Sequence, residues 1–539
     1  MTAARLREFV ADTPAEEDST LAAALSALSR AFTVAEQPGA PGSGTHRRTW
    51  LDTFDWRLYK AGLTLQFEHA RRGGRLLLSK ADGTAQAEQL VTRWPRRPGL
   101  AEDLPDGPVR DRILVLTSPR ALLPIVKAVS TVSVIRLLNG DGKTVARLIT
   151  ERVTVTAPTR NTAADITAEL PPRLAVVEIR GYPGQARRAA ALLAGVPGVS
   201  QASQGLFTAA LTALGRHPAD YTSGVDAEII GTMPAPVAVA RLLLRLLDTI
   251  ELNVPGVLRD IDTEFLHDFR VAVRRTRSAI KLLGEVLPAD LAEHYKTEFK
   301  WLGDVTTPIR DLDVHLLGFD AMTEHLVAAS PADLEPLRAF LVRRRAREFR
   351  RLAAALRGPR FRAIVQDWRK AMLEIRDVDG PRRRRPTAAA LGLSTTGRAY
   401  RRIAAQGRAI TPASAPESLH DLRKRAKELR YLLEFFAPLH DPVAYRKVVS
   451  DLKQLQDCLG EFQDSEVQRH EIVDLADAML AERAAPAATL LAMGEIAAKL
   501  ALSQTEARAE FAARFARFAG PAGRERVRVL LAGEMQGRR

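Results

Sequence analysis

Two kinds of hydrophobic spacing divide this chain. Up to about residue 215, apolar and polar side chains alternate in short runs bounded by turn residues. HRRTWLDT from 46, GLTLQFEHA from 62 and RLLLSK from 75 predict strands, with Gly73 and Gly74 in a hairpin turn between the last two. VSVIRLL and TVARLITERVTV flank NGDG at 139–142, the clearest hairpin signal in the chain. RLAVVEIRG adds a strand, and 185–196 and 203–215 carry helical spacing. Residues 1–215 are therefore predicted to be an α+β domain with a mainly antiparallel sheet. The Gly, Pro and Ser of 216–234 mark a linker. From 235 to 535 the apolar period becomes 3.6 and the composition turns to Ala, Leu, Arg and Glu, which predicts an all-α domain. PRRRRP at 381–386 breaks that pattern and separates two helical halves, about 235–380 and 387–535.

The two halves repeat one another. Leu266, His267, Asp268, Arg270 and Arg277 recur 153 positions later as Leu419, His420, Asp421, Arg423 and Arg430. At the same offset Lys300, Leu302, Asp304, Asp311 and Val314 recur as Lys453, Leu455, Asp457, Asp464 and Val467. Two separate blocks agreeing at one ungapped offset define an internal duplication. With about 100° between successive helical residues, Phe269, Val273, Thr276, Ile280 and Leu283 form one face, predicted to be core. His267, Arg270, Arg274, Arg277 and Lys281 fall on the opposite side within an arc of about 80°. In the second copy Leu422, Ala426, Leu429, Leu433 and Phe436 are the predicted core, and His420, Arg423, Lys427 and Arg430 form the stripe, ended by Glu434.

A solvated helix face normally mixes charge signs, because like charges at i,i+4 destabilise it. A one-sign stripe built twice instead suits a multivalent anion. Arginine forks grip phosphate oxygens, lysine acts as a movable point charge, and one helix face repeats about every 5 Å. Composition agrees: the net charge is +15 at 27% charged residues, and the pI is about 10.2. The single Cys458 excludes an internal disulfide or a cysteine metal cluster and fits a reducing cytoplasm. The polar N-terminal stretch predicts no secretory signal, and the absence of a long apolar run predicts no membrane span.

HDFRVAVRRTRSAIKLL with EFKWLGDVTTPIRDLDV, and LHDLRKRAKELRYLLEFF with LKQLQDCLGEF, resemble the two halves of a CHAD (conserved histidine α-helical) domain over about 235–535. The resemblance implies two four-helix bundles related by pseudo-two-fold symmetry, which bind inorganic polyphosphate in a basic groove and associate with polyphosphate granules. It carries the ligand role onto His267, Arg270, Arg274 and Arg277, and onto His420, Arg423, Lys427 and Arg430; Lys281 is a candidate from the stripe itself. Lys300 and Lys453 are matched across the repeat and join them. Arg310 fits the family's Arg-Asp-x-Asp motif, whereas the second copy has Gln463 there.

CHAD domains are often joined to a CYTH domain, a triphosphate tunnel metalloenzyme built as a closed antiparallel β barrel. TWLDTFDWRLYKAGLTL resembles its Tyr-Phe-Asp-Thr segment and the following strand. That chemistry needs Glu-x-Glu-x-Lys to hold a divalent metal. Here ARLRE puts Ala4, Leu6 and Glu8 in those places, Gln66 and Glu68 replace inward arginines, and the late Glu-x-Glu keeps only Glu178. Residues 1–215 are thus predicted to be a degenerate CYTH-like domain without catalytic residues, metal or other cofactor. The chain as a whole is predicted to be a cytoplasmic polyphosphate-binding protein and no enzyme. The alternatives are metal-dependent triphosphate or polyphosphate hydrolysis by the CYTH-like domain, and nucleic-acid binding, with nucleic acid otherwise only a competing polyanion. Aromatic residues at 6% offer few stacking platforms for single strands.

Overall fold

A computed structural model describes residues 6–11, 17–92, 99–158, 166–377 and 386–532. Ala4 and the arginines of PRRRRP lie outside the described residues. The chain forms two compact units, Met1–Thr222 and Ser223–Arg539.

The first unit runs β1 (Leu6–Ala11), α1 (Glu17–Ser29), β2 (Thr33–Glu36), β3 (Gly44–Asp52), α2 (Arg57–Lys60), β4 (Leu63–His69), β5 (Gly74–Lys80), β6 (Ala85–Val91), α3 (Pro108–Thr117), β7 (Leu123–Leu138), β8 (Thr144–Ala157), β9 (Ile166–Glu169), β10 (Arg173–Glu178), α4 (Pro183–Ala194), β11 (Val199–Gln201) and α5 (Leu206–Ala213). The strands pair antiparallel in the order β11-β1-β10-β8-β7-β3-β4-β5-β6, with β2 added on β7 and β9 on β8. Among the described residues this order is an open path, and no ladder joins β11 to β6. The predicted NGDG hairpin joins the two longest strands, β7 and β8, where Asn139 Oδ1 accepts from Asp141 N and Lys143 N.

The two faces of the sheet differ in chemistry. One packs Phe9, Leu137, Leu148 and Val176 against α1 and α4, and Leu65, Phe67, Leu76 and Leu78 against α3. The other bears Glu8, Arg173, Glu151, Arg48, Glu68 and Arg75. Ladder register puts all six on that face, because residues directly opposite one another in a sheet point the same way.

Apart from an isolated β-bridge between Pro234 and Thr387, the described secondary structure of the second unit is helical. Its first half holds α6 (Ala235–Leu258), α7 (Thr263–Leu283), α8 (Ala289–Leu317), the short α9 (Phe319–Thr323), α10 (Glu335–Arg357) and α11 (Pro359–Arg376). The second half holds α12 (Ala388–Arg408), α13 (Pro416–Phe435), α14 (Pro442–Ala481), α15 (Ala487–Ala519) and α16 (Pro521–Ala532). Ala235, Thr263 and Ala289 open helices, and Ala388, Pro416 and Pro442 do so 153 positions later, so the duplication extends to the backbone. The Asp262 carboxylate caps α7 by accepting from Glu264 N and Phe265 N. The predicted core faces are buried: Phe269, Val273, Thr276, Ile280 and Leu283 on α7, and Leu422, Ala426, Leu429, Leu433 and Phe436 on and just after α13. Gly256 lets α6 approach α7 closely, since a Cβ there would meet the Phe265 ring at 2.2 Å.

Candidate anion-binding site

Burying the apolar faces of α7 and α13 turns their basic faces toward each other. The two helices run in opposite senses where they cross, as the side-chain pairs between them show. Arg275 meets Glu434 at 2.8 Å and Lys281 meets Glu428 at 2.6 Å. In the repeat Arg275 corresponds to Glu428 and Lys281 to Glu434, so each ion pair is the image of the other. That exchange is what a local two-fold axis between α7 and α13 requires. Arg274 reinforces the crossing by donating from Nε to Tyr431 Oη at 2.7 Å.

A cavity of about 590 Å³ opens beside the crossing, walled by α7, α13 and α14. His267, Arg274, Arg423, Lys427 and Arg430 of the predicted set line it, together with Arg275. The cavity departs from the expected one-sign groove, because Asp268, Glu434, Asp457, Glu461 and Asp464 also line it. The last three come from α14, a separate helix whose acidic face the stripe pattern could not anticipate. Asp464 holds Arg423 Nη2 at 2.7 Å, and Glu434 holds Arg430 Nε at 2.8 Å.

The remaining bases are not neutralised in this way. Arg270 leans on α8 and donates from Nη1 to Thr306 Oγ1 at 2.8 Å and Thr307 Oγ1 at 2.9 Å. Arg277 lies against Gly303, where an added Cβ would sit 3.0 Å from its Nη1. Arg310 Nη1 and Arg423 Nε are buried without a hydrogen-bond partner among the described residues. Among those residues, Arg270, Arg274, Arg277, Arg310 and Lys427 have no carboxylate within ion-pair distance. Burial, and after it the fields of Arg423 and Arg274, pulls the Lys427 ammonium down to about 8. Burial likewise lowers Arg270 and His267, with Arg310 the largest charge acting on His267. In the ligand-free protein His267 is therefore biased toward its neutral form.

The two histidines are held differently. The Gln463 amide gives its Nε2–H to Glu466 Oε2 at 3.3 Å and offers Oε1 to His420 Nδ1 at 2.5 Å. That contact leaves His420 Nε2 as the ring's other polar atom, which donates only when the ring takes a second proton. Arg310 occupies the matching position beside His267 and has no acceptor to offer. Seven of the twelve predicted residues are not part of the cavity lining: Arg270, Arg277, Arg310 and His420, which lie on or turn toward α8 or α14 beside it, and three lysines. Lys281 is engaged by Glu428, Lys300 is exposed and paired with Asp304 at 2.9 Å, and Lys453 is exposed on α14. Pattern reading missed Arg275, which lies off the stripe, and Tyr431, which the first copy replaces with Ser278.

The charged face of the first unit is occupied by ion pairs: Arg48 with Glu151 at 2.6 Å, Arg173 with Glu8 at 2.5 Å, and Arg75 with Glu68 at 2.6 Å. Glu178 lies three residues from Ala175, the partner of Glu8, and so points to the opposite face of the sheet. Asp52 serves the backbone, accepting from Leu58 N and Tyr59 N around the left-handed Trp56, and burial raises its carboxyl to about 6.

Residues 241–473 match the family model described as the CHAD domain. Three solved structures resemble parts of the chain. The CHAD domain from the plant Ricinus communis is 24% identical with a TM-score of 0.41, covering 58% of this chain and 97% of that one. PptA from Streptomyces chartreusis is 16% identical with a TM-score of 0.42, covering 52% and 99%. A putative adenylate cyclase from Bacillus halodurans is 14% identical with a TM-score of 0.25, covering 38% and 94%. No curated protein matches the chain. Among the described residues, no helix is long and apolar enough to cross a membrane.

Proposed function

Because residues 241–473 carry a CHAD domain, we propose that the helical unit binds inorganic polyphosphate along the facing sides of α7 and α13. The observation that carries this reading is the set of five bases left without carboxylate partners: Arg270, Arg274, Arg277, Arg310 and Lys427. Arg274 and Lys427 are the same position in the two halves, and they lie close enough for Arg274 to help depress Lys427. Holding like charges together under partial burial opposes folding, and a polyanion relieves that opposition when it binds. Each phosphate neutralised also releases counterions, so affinity falls steeply with salt, by analogy with nucleic acids. Asp457, Glu461 and Asp464 temper the field on the α14 side, which leaves the bases of α7 and α13 as the more positive walls of the cavity.

In this reading the first unit is a CYTH-like scaffold that does not hydrolyse triphosphates. Its support is the pairing of Glu8, Glu68 and Glu151 with arginines, and the placement of Glu178 on the other face. The same reading puts the protein on polyphosphate granules in the cytoplasm.

The test is retention on immobilised long-chain polyphosphate. Replacing Arg270, Arg274, Arg423 and Lys427 together by Ala is expected to abolish retention while the helical circular dichroism signal is kept. Unchanged retention would overturn the proposal. Competition with RNA at fixed salt separates a polyphosphate preference from general polyanion binding. Magnesium- or manganese-dependent phosphate release from triphosphate would reinstate the enzymatic alternative.

A further inference from the structure

A second cleft in the helical unit lies on the other side of α13. It encloses about 210 Å³ between Lys281 and Glu285 at the end of α7, Arg398 and Arg402 on α12, and Arg425 and Glu428 on α13. Arg425 follows Arg423 by two residues and so points about 200° away from it around the helix. Four bases meet two acids here. Glu428 takes Lys281 at 2.6 Å and Glu285 takes Arg398 at 3.2 Å. Arg402 and Arg425 are exposed and have no carboxylate partner among the described residues.

The duplication does not account for these two arginines. The positions 153 earlier are Thr249 and Ala272, both buried in the first half. The second half has therefore acquired a pair of guanidinium groups beside a lysine and a third arginine, in a cleft much smaller than the cavity across the helix. Guanidinium forks match the geometry of phosphate oxygens, and the volume suits a compact group better than a strand of polyanion.

We infer that this cleft is a separate anion site for a single phosphate or pyrophosphate group, held by Arg402 and Arg425 with Lys281 and Arg398 at its rim. The group is either a free small phosphate or the end of a longer chain. The site stands independently of the polyphosphate reading, because it uses residues outside the larger cavity.

Calorimetric titration of the full chain with pyrophosphate and with long-chain polyphosphate at low ionic strength tests the inference. Three proteins are compared: the natural chain, Arg402→Gln with Arg425→Gln, and Arg274→Gln with Lys427→Gln. The natural chain is expected to have a pyrophosphate site that the first double variant weakens about tenfold or more and the second leaves in place. If the first double variant weakens pyrophosphate alone, the site takes free groups; if it weakens both ligands, the site also takes chain ends. Pyrophosphate binding that is absent up to millimolar concentration, or unchanged in the first double variant, overturns the inference. Arg402 and Arg425 are exposed, so the thermal midpoint of their double variant is expected to be unchanged, and the helical circular dichroism signal checks the folding of the second variant.

Discussion

At the residue scale, Lys427 and His440 show opposite uses of burial. The Lys427 ammonium titrates near 8 in the folded chain instead of 10.5, so the unfolded chain holds more protons between those values. Stability then rises as pH climbs from about 8 to 10.5, and at neutral pH the charged lysine opposes folding. Lys427→Met is expected to raise the stability of the ligand-free protein at pH 7 by about 1 kcal/mol, once water around this half-buried side chain is allowed for. The same substitution should weaken polyphosphate binding about tenfold, a trade that denaturation and titration read separately. Affinity of the natural chain should also fall from pH 7 to 9, and Lys427→Arg should flatten that fall. His440 lies outside the predicted ligand set and off the cavity lining. It is 7% exposed, stacks beside Tyr445 and has no hydrogen-bond partner on either ring nitrogen among the described residues. Burial lowers it to about 4, so its contribution to stability is intact above about 6.5 and is lost as pH falls toward 4, by about 3 kcal/mol at most. Denaturation across that range should show a shallower slope for His440→Phe, and an identical slope would refute the assignment.

At the element scale, the crossing of α7 and α13 rests on two ion pairs of unequal burial. Arg275 and Glu434 are 15% and 19% exposed, whereas Lys281 is 66% exposed. Arg275→Ala is expected to cost about 1–2 kcal/mol, because it removes a partly buried guanidinium that also donates to Ser223 O at 2.7 Å. Lys281→Ala should cost under about 0.5 kcal/mol. Urea midpoints distinguish the two, and equal losses would contradict this ranking. The core and basic faces of each helix were legible in the sequence because a helix fixes its own 3.6-residue period. The crossing was not, since Arg275 meets Glu434 only after two distant segments pack in opposite senses. The acids of α14 were hidden for the same reason: Asp457 and Asp464 stood out as matched repeat positions, but nothing local to them shows that they line the cavity of α13. In the sheet, NGDG located its hairpin from local turn chemistry, whereas the Arg48–Glu151 pair joins strands 103 residues apart.

At the scale of the whole helical unit, the halves share more than the crossing. Leu312, Phe319, Leu337, Phe340 and Leu341 of the first half pack into one apolar cluster with Ile472, Leu475, Met479, Met493 and Ile496 of the second. The halves should therefore lose their helices together. Met479→Ala, at a fully buried position, is expected to cost about 2–4 kcal/mol and to shift one cooperative transition. Two separated transitions would show that the halves fold independently. The ion pairs at the crossing bear on a different matter, that of which surfaces can recognise each other. Both cations, Arg275 and Lys281, sit on α7, and both anions, Glu428 and Glu434, sit on α13. If two first halves met through this face, each arginine would confront a lysine; if two second halves met, glutamate would confront glutamate. The interface therefore rejects self-pairing of either half and accepts only the unlike half, so the duplicated gene product assembles as a matched couple and not as two interchangeable copies.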